Sequence, residues 1–262
     1  MKTRILSGII MLPLLAFVFV GGKLLLAGCF LLSILALREF YNGFSGLSIT
    51  PSLPIGMAMA FLLYTGNLLG MGQEAHWILF WFFLSVLLSL LYLFKIEERK
   101  PEDMLATIGG LFYVVFFSYH IILTEQTGEF RLLVWLIFLT AFGTDIFAYF
   151  TGVFLGKHKL CPTISPKKTM EGSVGGILGS MVLSGVFGYF VVPELLIHCL
   201  IIAFLGGIIS QLGDLTASIF KRKMGLKDYG NLIPGHGGVL DRIDSVLFTA
   251  PLVYYYIEFI IR

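Results

Sequence analysis

Charge is what this sequence has least of. Of its 262 residues, 13% are Asp, Glu, Lys or Arg and 57% are hydrophobic, whereas about a quarter of a soluble domain is charged. A single water-facing core of this length cannot hide so much apolar surface, which excludes a soluble globular protein and leaves lipid as the solvent. Cysteine is also scarce. Cys29, Cys161 and Cys199 stand far apart without C-x-x-C pairing, so neither a disulfide framework nor a structural zinc site is expected. His158 and Cys161 have a metal-compatible spacing but no second pair to join them. Also missing are G-x-x-x-x-G-K-[ST], a G-x-G-x-x-G after a strand, and H-E-x-x-H, which removes the P-loop, dinucleotide-fold and zincin readings. The net charge of +2 is uninformative, and no nucleic-acid partner is expected. Glycine, by contrast, is plentiful at 30 residues, which suits close helix packing in membranes and flexible site loops.

Crossing a hydrocarbon layer ~30 Å thick takes about 20 apolar residues. Uncharged runs of this kind lie at 5–20, 24–37, 53–69, 77–94, 104–123, 132–150, 172–192, 195–212 and 244–261. The expected fold class is therefore all-α: a polytopic integral membrane protein with nine transmembrane helices. The first two runs are short, and Gly21-Gly22-Lys23 between them reads as a hairpin turn or a shallow re-entrant pair. Lys2 and Arg4 before an apolar stretch also suit a signal peptide, but no A-x-A-like cleavage site follows, so an uncleaved first span is preferred. Under nine spans, 15 of the 18 Lys and Arg fall on one side and only Lys23, Arg131 and Arg262 on the other. Basic residues gather in cytosolic loops, which predicts a cytosolic amino terminus and an external carboxyl terminus. Two hydrophilic loops, 151–171 and 213–243, then face the cytosol. Trp77, Trp81, Tyr254, Tyr255 and Tyr256 sit near span ends and read as interfacial anchors.

Acids within membrane helices or at their mouths are costly and usually functional. Asp145 lies about five residues, or ~8 Å, inside the sixth span. Asp214 closes the eighth span, and Asp241 and Asp244 introduce the ninth. By topology all four approach the same membrane surface. Carboxylates beside lysines are what a divalent ion and a polyphosphate require, because Mg2+ is held by one or two carboxylates together with substrate phosphates. Asp241 and Asp244, at i,i+3, can share one side of a helix start. Asp214 and Ser218 are i,i+4, with Lys221-Arg222-Lys223 following. Each feature also has a plainer reading, as a helix N-cap or a topology determinant.

Between Leu232 and Arg242, Gly235, Gly237 and Gly238 surround His236, a composition that lets backbone N–H groups approach an anion. The helix that follows adds a positive dipole end. The plainer reading is a flexible loop with a solvated His. In the earlier loop, Lys167 and Lys168 precede a membrane helix and suit anionic lipid heads or a nucleotide phosphate, with Thr169 a candidate cap.

Taken together, the stretch from Gln211 to Asp244 resembles the signature of the phosphatidate cytidylyltransferases, or CDP-diacylglycerol synthases: Ser218, Lys221-Arg222, Lys227-Asp228, His236-Gly237-Gly238, Asp241-Arg242 and Asp244. Upstream, Thr144-Asp145-x-x-Ala148-Tyr149-x-x-Gly152 and Ser165-Pro166-Lys167-Lys168-Thr169-x-Glu171-Gly172 also resemble the family's elements, in the expected order. The resemblance covers residues 140–250 in motif detail. It implies transfer of a cytidylyl group from CTP to phosphatidic acid with Mg2+ required, in an all-helical dimeric enzyme of the lipid bilayer, here expected in a bacterial inner membrane with the active site facing the cytosol. It implies metal ligation by Asp214 and Asp241, with Asp244 and Asp145 in support or holding a second cation. Lys167, Lys168, Lys221, Arg222 and Lys227 would neutralise phosphates; His236, Gly237 and Gly238 would cradle the triphosphate. Ser218, Asp228 and Arg242 complete the expected site. On this reading residues 1–100 are amino-terminal membrane helices, 101–150 middle helices with a candidate dimer region, and 151–262 the catalytic region. Two rivals remain. A CTP-dependent polyprenol-type kinase would use the same site for γ-phosphate transfer. An ion-coupled transporter would need charged or broken helices at the midplane in both halves, whereas the first half is nearly bare. A CDP-alcohol phosphotransferase lacks its D-G-x-x-A-R run here.

Overall fold

The computed structural model describes residues 16–232 and 237–262. Most of the expected first span, with Lys2 and Arg4, lies outside the described residues, as do Pro234, Gly235 and His236. Among the described residues seven helices are long and apolar enough to cross a membrane. An eighth, Leu53–Leu68, is apolar but only 16 residues long. Every expected span from 24–37 onward coincides with a helix, so the chain is a polytopic, all-α integral membrane protein.

The chain forms two compact units, residues 1–123 with 223–242 and residues 124–222 with 243–262. The first unit contains α1 (Gly22–Gly43), α2 (Leu53–Leu68), α3 (Ala75–Tyr92) and α4 (Pro101–Gly110). α4 runs through a π-turn at Leu111–Phe116 into α5 (Phe117–Glu125). Gly21 and Gly22 have φ of 68° and 56°, a region open to glycine. Phe17 precedes them, and a Cβ on Gly28 would lie 3.0 Å from its ring, so the chain folds back on itself at this link.

Where no water is available, buried polar groups must pair within the protein. Ser33 Oγ lies 2.8 Å from Tyr64 Oη and 2.7 Å from Ser118 Oγ. Trp81 Nε1 donates to the Met59 carbonyl at 2.8 Å. Trp81 is fully buried, so it is a core residue and not an interfacial anchor. α3 shows why: Trp81, Ser85 and Ser89 face inward, while Leu79, Phe80, Phe83, Leu90 and Leu91 face outward. Apart from Trp81, the inward residues are small and polar and the outward ones large and apolar, a distribution that lipid stabilises and water opposes.

The second unit contains α6 (Val134–Leu155), a hairpin of β1 (Lys159–Cys161) and β2 (Ser165–Thr169), α7 (Met170–Val191), α8 (Leu196–Lys223) and most of α9 (Leu240–Tyr256). Two expected boundaries change. α8 continues past 212 to Lys223, so Asp214, Ser218, Lys221 and Arg222 lie on a helix, where the sequence suggested a loop. Its 28 residues extend ~42 Å, longer than the hydrocarbon is thick, and its polar tail can therefore leave the membrane still helical. α6 likewise runs on to Leu155, which places Asp145 ten residues from the helix end instead of five.

α7 buries Gly172, Gly176, Ser180, Ser184 and Gly188, one residue per turn, and exposes Val174, Leu178, Val182 and Val186. This small-residue stripe lets α6 approach closely. A Cβ on Gly172 would sit 2.8 Å from the Ala148 carbonyl oxygen, and one on Gly176 at the same distance from that of Thr144. Since backbone cannot yield as a side-chain tip can, Gly176→Leu is expected to cost about 1–3 kcal/mol. The thermal midpoint in detergent should fall accordingly, whereas lipid-facing Val174→Leu should leave it unchanged.

Candidate active site

In the second unit α8, β2 and α9 bring four expected residues together. Thr169 ends β2 and caps α7, its Oγ1 accepting from Gly172 N at 3.1 Å. Its neighbour Lys168 thereby projects from a fixed position, with Nζ 2.6 Å from Asp214 Oδ2. Ser218 Oγ, one turn along α8, donates to Asp214 Oδ1 at 3.4 Å. α9 packs so closely on α8 that a Cβ on Gly213 would meet the Asp244 carbonyl oxygen at 2.7 Å. Asp244 is consequently buried beside Asp214, with Oδ1 accepting from Ser245 N at 2.8 Å. The charges of Asp214 and Asp145 repel Asp244, and Lys221 offsets them. Asp145 is surface-accessible, and an acid within a membrane helix is costly to keep there unless it is used. Lys167 and Arg222 are exposed.

Among the described residues no three His, Cys, Asp or Glu side chains stand close enough to enclose an ion. Mg2+ does not need such a cage, since one or two carboxylates suffice when phosphate oxygens complete its shell. A buried carboxylate repelled by two others, one of them already paired with an ammonium, is a donor set that fits a hard cation. Of the two expected metal ligands, Asp214 lies in the second unit beside Asp244, and Asp241 lies in the first.

The first unit holds the rest of the signature. Lys227 and Asp228 are exposed in the turn after α8. Gly237 has φ +83°, and Asp241 Oδ2 accepts from Tyr229 N at 2.8 Å and Gly238 N at 3.0 Å. Asp241 thus also holds the loop that leads into α9. Arg242 follows on the first turn of α9, half-buried. In the expected phosphate cradle the Gly238 N–H is donated to Asp241. The next two amides, Val239 N and Leu240 N, donate to Glu39 at 3.0 and 2.9 Å. Sequence reasoning passed over Glu39, which lies two residues beyond the expected span 24–37 on a helix that continues to Gly43. Glu171 was noted merely as part of a motif. Its carboxylate accepts from Lys157 N at 3.0 Å and contacts His158 Nδ1 at 2.6 Å, tying the base of the hairpin to α7.

Comparison with known proteins shows the family. The model of a family described as the cytidylyltransferase family matches residues 2–260. A phosphatidate cytidylyltransferase of Synechocystis sp. is 35% identical over 97% of this chain and 95% of its own length. One of Staphylococcus haemolyticus is 35% identical over 97% of both chains, and one of Bacillus subtilis is 37% identical over 65% of each. The chain belongs to the cytidylyltransferase family.

Proposed function

We propose that this membrane protein transfers the cytidylyl group of CTP to phosphatidic acid, giving CDP-diacylglycerol and diphosphate in phospholipid biosynthesis. The observation that carries the reading is the convergence of Lys168, Asp214 and Asp244 in one unit of a cytidylyltransferase-family chain. A phosphate oxygen of the lipid attacks the α-phosphorus of CTP, and the bond from that phosphorus to the bridging oxygen breaks. Diphosphate leaves with the electron pair. The lipid phosphate is already an anion at neutral pH, so no strong general base is required.

The main obstacle is repulsion between two anions. Positioning and electrostatics do most of the work in such transfers. Lys168 and Lys221 neutralise phosphate charge, with Lys167, Arg222 and Lys227 supplying further positive charge nearby along the chain. Asp214 and Asp244 would hold Mg2+, which would supply Lewis-acid stabilisation of phosphate charge. Ser218 keeps the Asp214 carboxylate oriented. The charge bias of the loops supports a site facing the cytosol, where CTP is dissolved, and the bacterial sources of the relatives support a bacterial inner membrane as the location. A homodimer is the expected assembly, readable by cross-linking in native membranes.

Purified protein given CTP, Mg2+ and phosphatidic acid in mixed micelles should release diphosphate and form CDP-diacylglycerol in equal amounts. Release of CDP in place of diphosphate would instead establish a lipid kinase.

A further inference from the structure

Glu39 lies on α1, one turn before its end, yet its carboxylate reaches residues 200 positions further along the chain. Oε1 accepts from Val239 N and Oε2 from Leu240 N. These two amides open α9, where helix geometry leaves N–H groups without partners in the helix itself. Val239 and Leu240 are both buried, so water is a poor substitute.

Two glycines make room for the carboxylate. A Cβ on Gly230 would sit 2.5 Å from Oε1, and one on Gly238 would collide with the Glu39 carboxylate. The next residue, Phe40, packs its ring against Tyr229 at 6.2 Å between centroids, and Tyr229 N is one of the two amides held by Asp241. Glu39 and Asp241 therefore engage the amides of residues 229, 238, 239 and 240. A half-buried acid in a membrane helix is expensive unless it is used, and this one fastens the segment that carries the signature.

We propose that Glu39 is a positioning residue: it fixes the first turn of α9, and so the aim of Asp241 and, one turn on, of Asp244. This inference rests on the functional reading above. Its test uses the full-length protein in detergent, with Glu39→Ala, Glu39→Gln and exposed Arg38→Ala as control. Two quantities are measured: hydrogen–deuterium exchange of residues 237–241, and the Mg2+ concentration for half-maximal CDP-diacylglycerol formation. Glu39→Ala should accelerate exchange at Val239 and Leu240 and raise the half-saturating Mg2+ by roughly 10- to 100-fold, the usual cost of losing a group that orients a metal ligand. Glu39→Gln, able to accept at one oxygen only, should fall between, and Arg38→Ala should match the wild type. Wild-type exchange in Glu39→Ala overturns the inference. So does a loss of activity that tracks a loss of folded protein at unchanged Mg2+ half-saturation, because that marks a purely structural role. If Glu39→Ala does not fold, Glu39→Gln decides on the same readouts. A wild-type protein that makes no CDP-diacylglycerol defeats the functional reading instead, and the exchange measurement still judges the Glu39 contact.

Discussion

Asp214→Asn lowers the rate of CDP-diacylglycerol formation by roughly 10²- to 10³-fold, the range that follows loss of one preorganised charge contact at a transition state. Two effects act together. The variant removes one of the two carboxylates proposed to hold Mg2+. It also leaves the Lys168 ammonium, 2.6 Å away and only 25% exposed, without its counter-charge. Asn keeps the size of Asp and can still accept from Ser218, so the variant should elute as wild type from size exclusion. Steady-state kinetics with both substrates varied checks the result, and a wild-type rate would remove Asp214 from the site.

Chelation should have an effect at least as large. EDTA is expected to reduce product formation by at least ~10³-fold, because Lewis-acid stabilisation at phosphate is worth several kcal/mol and ~1.4 kcal/mol is a factor of ten. Returning Mg2+ in excess should restore the rate, whereas raising monovalent salt to the same ionic strength should not. The physical ground is Asp244. Buried at 7% exposure and repelled by Asp214 and Asp145, it sits where Lys221 offsets only part of the negative charge, and a divalent ion relieves the remainder. Full activity in EDTA would assign the charge neutralisation to the lysines alone.

Most of the helical layout was legible in the sequence, because in a membrane chain the absence of charge is itself the signal. Helix ends were less so. Charge marks where lipid ends, not where a helix ends, and α8 shows the difference: Asp214, Ser218 and Lys221 continue its helical spacing beyond the apolar run. Trp81 was misjudged for a related reason, since position near a span end does not say which face a ring takes.

Topology predicted that Asp145, Asp214, Asp241 and Asp244 approach one surface without any knowledge of packing, and the structure brings Asp145 and Asp214 close enough to Asp244 to repel it. What they touch was not legible. The pairing of Lys168 with Asp214 links a strand to a helix 46 residues away. Glu39 was harder still, because its partners are main-chain amides, and a bond to backbone leaves no residue type to read at the far end. A bond of the same kind engages Gly238, whose N–H donates to Asp241, a carboxylate of its own chain.

The most direct test of the proposed reaction follows the phosphorus atoms. Purified protein in mixed micelles with phosphatidic acid and Mg2+ is given CTP labelled at the α-phosphorus in one reaction and at the γ-phosphorus in another. Cytidylyl transfer predicts α-label in the lipid product and γ-label in free diphosphate. γ-Label in the lipid, with α-label remaining in soluble CDP, would contradict it.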